Sequence, residues 1–366
     1  MKIPFVDLLT QYNSLKKEID QSIQSVIAET AFIGGKYVKK FEKEFSEAYG
    51  VKNAIGVANG TDAIYILLKM LGIGPGDEVI TTSTSWISTS EVIGQTGATP
   101  VFIDIDEYYT IDVEKIERAI TSRTKAIIPV HLYGQSADIR KIVEIANQYK
   151  LYVIEDCAQS HFTKYANQNV GTFGIASTFS FYPGKNLGAY GDAGCILTND
   201  NNLAEKCRMF ANHGALIKHN HLIEGINSRL DGIQAAVLSV KLPYIHSWTE
   251  KRKTNASLYT KYLSDIPNVR TPAIRNNSEH TFHLYVIRTK NRDELTLPLK
   301  HDRLETSIHY PVPLPLMPAY AHLVHSVDEF PSSVCHHQEI LSLPMYPELS
   351  EAAIKTVADS IRNFFN

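Results

Sequence analysis

At 366 residues, with 44% hydrophobic and 20% charged residues, the chain can bury a large core and has the make-up of a soluble enzyme of about two domains, not of a disordered segment. A net charge of −3, without basic runs interleaved with aromatic residues, excludes the usual signature of a nucleic-acid partner. Four scattered cysteines (Cys157, Cys195, Cys207 and Cys335) lack C-x-x-C spacing, which argues against a disulfide framework or structural zinc; with no apolar stretch of signal-peptide or membrane-spanning length, the expected location is the cytoplasm, with no membrane partner.

In chain order, Leu15, Ile19, Ile23, Val26 and Ile27 recur at helical spacing, so an amphipathic helix follows a short N-terminal arm. Short apolar runs then appear at "NAIGVA", "DEVITT", "TPVFIDI", "KAIIPVHLYG" and "LYVIEDC", separated by the helical patterns "TDAIYILLKMLG", "TSEVIGQTG" and "DIRKIVEIANQYK". Continuous apolar runs alternating with helices predict a mainly parallel sheet covered on both faces, with ligands beyond the carboxyl ends of its strands. After about residue 240, "KLPYIHSWTEKRKTNASLYTKYLSDIPNV" reads as a long helix leading to a second unit whose clearest strand is "HTFHLYVIRT". The expectation is a large α/β domain over residues 1–240, N-terminal arm and helix included, and a smaller α+β domain over 241–366. "EKRKTN" reads as a solvated helix face, and the proline-rich "HYPVPLPLMPAY" as an ordered loop.

Lysines are ordinarily surface residues, because an unpaired buried ammonium is costly. Lys185, in "FSFYPGKNLGAYGDAG", keeps unusual company. Asp156 ends the run "LYVIED", which puts a carboxylate at the end of a central strand. "GVANGTDAIYILL" passes from strand to helix through Asn59-Gly60-Thr61, where free backbone N–H groups can hold a phosphate. Ser180 can add a hydroxyl to the same group. Jointly these are the requirements of pyridoxal phosphate: an amine, an acid for the pyridine nitrogen, a helix start for the phosphate and an aromatic face for the ring.

The segments "NGTDA", "PGDEVI", "GATPVFIDID", "PVHLYGQ", "EDCAQSH", "SFYPGKNLGAYGDAG", "NHG" and "NSRLDGIQAA" stand in an order that resembles the DegT/DnrJ/EryC1/StrS family of pyridoxal-phosphate-dependent sugar aminotransferases, over nearly the whole chain. The resemblance implies the aspartate aminotransferase-like fold (fold type I) and a homodimer with active sites at the subunit interface. It implies that Lys185 anchors the cofactor and shuttles the proton, Asp156 pairs with the pyridine nitrogen, Gln159 contacts the ring hydroxyl and Trp86 stacks on the ring. Gly60, Thr61 and Ser180 would hold the phosphate, reached also by Asn227 of the partner subunit. Relatives that remove a sugar hydroxyl carry histidine at the position of Lys185, so aminotransfer is expected over dehydration and over a non-enzymatic regulatory role.

The C-terminal "HLYVIRTKNRDEL" and "SIHYPVPLPLMPAY" are most similar to the subgroup acting on 3-keto sugars linked to dTDP or UDP, with glutamate as donor and an amino sugar for bacterial surface glycans as product. Tyr182, His309 and Tyr310 are the expected sugar contacts. Pro315-Leu316-Met317 departs from the family's polar pattern, which leaves a 4-keto sugar or a small phosphorylated ketone as alternatives. "KHNHLIE" (218–224) reads as a mobile loop over the sugar site and "CHH" (335–337) as bland; metal binding is expected at neither.

Overall fold

The computed structural model describes residues 2–366. Helix α1 (Leu8–Ala28) is capped by the Asp7 carboxylate and buries Leu15, Ile19 and Val26, while Ile27 is turned outward. Helix α2 (Gly35–Tyr49) buries Val38, Phe41, Phe45 and Tyr49 at helical spacing. The sheet starts with β1 (Asn53–Val57), followed by α3 (Gly60–Met70), β2 (Glu78–Thr82), α4 (Ser88–Gln95), β3 (Thr99–Ile103), β4 (Thr124–Ile128), α5 (Ile139–Tyr149) and β5 (Tyr152–Asp156). A small hairpin, β6 (Lys164–Tyr165) and β7 (Gln168–Asn169), precedes β8 (Ala176–Ser180) and β9 (Gly194–Thr198).

These form one seven-stranded sheet in the order β1-β9-β8-β5-β4-β2-β3. Strand β9 runs antiparallel to both β1 and β8, and the other pairings are parallel. In register, Gly194 opposes both Val57 and Ser180. The end of β1 and the end of β8 are therefore held side by side at the carboxyl edge.

The face of the sheet under β8 is an aromatic core. Phe45 places its ring 5.2 Å from Phe179 and 5.3 Å from Phe181, and Tyr49 lies 4.5 Å from Phe162. Each fully buried phenylalanine contributes on the order of 2–3 kcal/mol through removal from water. That packing fixes β8 from behind while Ser180 turns to the other side.

Helix α6 (Asn201–Ala211) leads to the hairpin β10 (Ala215–Ile217) and β11 (Asn220–His221), then to α7 (Gly232–Lys241) and, through one tight turn, to α8 (Ile245–Leu263). The segment read from sequence as a mobile loop at 218–224 is thus largely a hairpin, exposed on its outer side. Strand β12 (Ser278–Glu279) pairs with β6; β13 (Tyr285–Arg288) pairs with β14 (Ile340–Leu343), flanked by α9 (Arg292–His301), α10 (Pro331–Glu339) and α11 (Glu351–Phe365).

A second core of Tyr259, Leu263, Tyr285, Ile287, Leu295, Leu341, Ile354 and Val357 lies between these helices and the β13–β14 pair. Ile3 from the N-terminal arm belongs to it, with backbone bonds to Arg303 and Glu305. The face expected to be solvated in "EKRKTN" is corrected in part: Arg252 is buried and donates to the carbonyls of Phe282, His283 and Met345, and Asn255 is buried beside it. A guanidinium saturating several backbone acceptors can stay buried where a bare charge cannot. Among the described residues, no helix is long and apolar enough to cross a membrane.

Candidate active site

Asp156 closes β5 with its side chain buried. Its Oδ2 accepts the Thr89 hydroxyl at 2.9 Å and its Oδ1 the Ala158 N–H at 3.1 Å. Burial pushes its carboxyl above the usual range, against the pull of those two bonds and of the Lys185 charge. Lys185 rides on the loop after β8, where its own N–H bonds the Tyr182 carbonyl at 2.8 Å. Desolvation brings its ammonium down to about 8, against the opposing field of Asp156. Each group therefore feels the other across the carboxyl edge. His161, His283 and His309 feel the same lysine and are held neutral by burial, His161 at about 3 and His309 at about 4.

The strand-end loop after β1 is built for close approach. Asn59 caps α3, its side chain accepting from Asp62 N–H at 2.8 Å, so the first N–H groups of the helix face the edge. A Cβ on Gly60 would sit 2.8 Å from Ser180 Cβ, and one on Gly194 would lie 2.8 Å from Gly60 N. Glycine at both places lets the loop nest against Ser180. Thr61 shares a 2.7 Å hydroxyl contact with Ser88.

Gln159 is fully buried in polar contacts: its Oε1 accepts from Tyr133 N–H at 2.8 Å and its Nε2 donates to the Tyr310 hydroxyl at 2.9 Å. Tyr310 packs 5.6 Å from Trp86, which keeps 58% of its surface exposed at the mouth. His309 stacks on Phe5 at 5.5 Å and bonds Ser342 through Nδ1, and its carbonyl accepts the Tyr133 hydroxyl. Tyr182 stands outside this cluster at 59% exposure. Asn227 is exposed; its backbone pairs with Asn212, and the neighbouring Ser228 hydroxyl accepts from Ala58 N–H just ahead of the α3 cap.

Several residues here escaped the sequence reading. Thr89 orients Asp156, and its only signal is a position three residues after Trp86. His337, from the "CHH" triplet, bonds the Tyr310 carbonyl and, at 3.1 Å, the Thr84 hydroxyl. Asn186 bonds the Thr281 carbonyl at 3.1 Å and His283 at 3.2 Å, tying the lysine loop to the segment before β13. His131, Glu155 and Cys157 converge behind Asp156. There His131 accepts the Ala137 N–H and contacts Glu155 at 3.0 Å, while Glu155 takes the N–H groups of Gly171, Phe173 and Gly174. The His131 and Glu155 atoms of this cluster thus already have partners within the protein.

The donor set suits pyridoxal phosphate. A glycine-lined helix start beside a serine hydroxyl fits a phosphate, and a desolvated carboxylate without a bonded cation fits a pyridine N–H. An amine of lowered basicity fits an aldehyde.

The sequence profile of the DegT/DnrJ/EryC1/StrS aminotransferase family matches residues 13–362. A protein of Geobacillus stearothermophilus named pleiotropic regulatory protein is 46% identical over 368 residues, covering 100% of this chain and 99% of its own. The dTDP-3-amino-3,6-dideoxy-alpha-D-galactopyranose transaminase of Aneurinibacillus thermoaerophilus is 42% identical, with 99% of each chain covered. The crystal structure of S. venezuelae DesV in complex with a ketimine intermediate superposes with a TM-score of 0.97 at 39% identity, covering 100% of this chain and 99% of that one.

Proposed function

The chain belongs to the DegT/DnrJ/EryC1/StrS aminotransferase family, and from that premise we propose that it transaminates a nucleotide-linked 3-keto-deoxyhexose, with glutamate as donor. It is a pyridoxal-phosphate-dependent aminotransferase with that family's α/β fold. The reading of its site rests on one observation above the others: the buried Asp156 ends β5 opposite Thr178 of β8, and the loop leaving β8 brings Lys185 to the same carboxyl edge of the sheet.

When bound, pyridoxal phosphate supplies an aldehyde that takes up the amino group and a ring that accepts the electron pair left when the donor loses its Cα proton. The protein's part is positional and electrostatic. Lys185, with basicity lowered by burial, anchors the cofactor and then takes and returns that proton. Asp156, steadied by Thr89 and Ala158, holds the ring N–H. Gln159, pinned by Tyr133 and Tyr310, would offer its amide to the ring hydroxyl. The N–H groups of Gly60 and Thr61, with the Ser180 hydroxyl, receive the phosphate. Trp86 would lie against the ring, and His309 and Tyr310, with the exposed Tyr182 outside their cluster, would meet the sugar.

A second copy of the chain completes each site with Asn227. The exposed Phe32, Ile33, Leu216, Ile217 and Leu222 support this assembly, since Ile33 and Leu216 line one 390 Å³ cleft together with Arg208 and Arg229. Amination at C3 is favoured by the similarity to a transaminase named for a 3-amino sugar. The product would be an amino sugar for a bacterial surface glycan, made in the cytoplasm. Incubation with glutamate and a panel of dTDP- and UDP-linked 3-keto and 4-keto sugars, followed by NMR location of the new amine, tests the reading. Amination at C4 or of a small phosphorylated ketone overturns the substrate; absence of a bound-cofactor absorption band would favour the regulatory role in the Geobacillus relative's name.

A further inference from the structure

Helix α7 ends in a lysine that the chemistry above does not use. Lys241 is 1% exposed, and its Nζ donates to the Gly188 carbonyl at 2.8 Å and lies 4.3 Å from the centre of the Tyr190 ring. Among the described residues no carboxylate comes within ion-pair distance of it, and the acid whose field it feels is Glu348. A buried ammonium with so little compensation is an expensive choice where leucine or methionine would pack.

What it holds is the loop that carries Lys185. Ala189 N–H bonds the Phe181 carbonyl at 2.8 Å, Lys185 N–H bonds that of Tyr182, and a Cβ on Gly188 would run into the Pro183 carbonyl oxygen. The loop is thus closed on itself, with the Gly188 carbonyl turned out toward α7. Gln234, seven residues before Lys241 and so on the same face of α7, accepts the Tyr190 N–H at 2.8 Å and donates back to the Tyr190 carbonyl. Helix α7 grips residues 188–190 at two points two turns apart.

We propose that Lys241 is a positioning residue for Lys185: its bond to the Gly188 carbonyl keeps the 182–189 loop closed, and so sets where the Lys185 amine stands relative to Asp156. Misplacing a reacting group by about 1 Å costs on the order of a hundredfold in rate. The ring of Tyr190 stabilises the ammonium by cation–π attraction, which lets it stay in place without a carboxylate.

The inference rests on Lys185 being the cofactor anchor, which borohydride trapping and peptide mapping of the wild type establish separately. Lys241→Met keeps length without a donor, and Lys241→Gln keeps a donor without charge. Two quantities are read: the rate at which saturating glutamate bleaches the bound-cofactor band, and the pH midpoint of Lys185 acylation in cofactor-free protein. The expected result is about a 30-fold slower bleaching in Lys241→Met, with the Lys185 midpoint moved up toward that of an ordinary lysine, and recovery of both in Lys241→Gln to within about fivefold and close to wild type. A Lys241→Met variant within about threefold of wild type with an unmoved midpoint overturns the proposal, as does a Lys241→Gln variant no better than Lys241→Met. Should Lys241→Met fail to fold, Lys241→Leu and Lys241→Ala are read for the same midpoint: movement up toward that of an ordinary lysine supports the role, and an unmoved midpoint overturns it. Failure of the wild type to bleach refutes glutamate as donor and leaves the midpoint test standing.

Discussion

Thr89 gives its hydroxyl to Asp156 Oδ2 across the gap between α4 and β5, at 2.9 Å, in an interior where the carboxylate's other donor among the described residues is Ala158 N–H, at Oδ1. A hydrogen bond to a charged acceptor contributes about 1.5–3 kcal/mol. Thr89→Val, which keeps the shape, is expected to lower turnover about tenfold or more and the melting temperature by a few degrees. Single-turnover kinetics with glutamate check it; Thr89→Ser should restore most of the rate.

Asp156 itself separates stability from catalysis. Its pKa is raised in the fold, so the folded protein binds the extra proton and loses stability as pH rises from the unfolded value through the folded one. Ionising Asp156 in the cofactor-free protein therefore works against folding. Asp156→Asn should melt higher than wild type without cofactor, yet turn over about a thousandfold more slowly with it, equivalent to about 4 kcal/mol of barrier. Calorimetry of both forms tests the two signs.

Lys185 has its pKa lowered to about 8. Only the free amine attacks an aldehyde, so the rate of reconstitution from cofactor-free protein and pyridoxal phosphate should rise with pH and level off above about 8. The same group adds stability above its unfolded value, and this is lost as pH falls through about 8. Stopped-flow absorbance between pH 6.5 and about 9.5 reads the profile. Lys185→Ala should fold, bind the cofactor without a covalent bond and be inactive.

Gly60 lies so close to Ser180 that a methyl group must displace one of them. Gly60→Ala is expected to weaken cofactor binding about tenfold or more, about 1.4 kcal/mol, through the phosphate site. Competition by inorganic phosphate should weaken in parallel. Equilibrium dialysis with pyridoxal phosphate and with the dephosphorylated aldehyde distinguishes a phosphate defect from a general one.

Subunit sharing is tested by mixing. Asn227→Ala chains combined with Lys185→Ala chains should regain about a quarter of wild-type activity at equal random mixing, since half the dimers then hold one complete site of two. No recovery after verified exchange would put Asn227 in its own chain's site or outside it.

The strands β1 to β5 were legible because each is a continuous apolar run buried on both faces; "LYVIED", for example, became β5 with Asp156 at its end. Strand β9 was not, since "GCILT" shows burial but not direction, and its antiparallel placement between β1 and β8 is settled by tertiary pairing. Helix α2 was missed because its apolar residues, Val38, Phe41, Phe45 and Tyr49, are diluted by lysines and glutamates on the outer face. In the site, residues that carry unusual chemistry announced themselves in the pattern. Those that merely hold them, Thr89, His337 and Lys241, come from distant segments and look ordinary where they stand.

The contact of Phe5 with His309, and of His309 with Ser342, has a consequence for how the enzyme comes into being. One wall of the site joins the arm to segments about 300 residues further along the chain, and Ile3 waits likewise for Arg303 and Glu305. During synthesis the βα repeat can assemble behind the ribosome, but this wall has no partner for the arm until the segment around Arg303, Glu305 and His309 has emerged. Competence to act on substrate is therefore a late event in the life of each molecule, and changes at the N-terminus, remote from every catalytic group in sequence, should register first in how quickly activity appears.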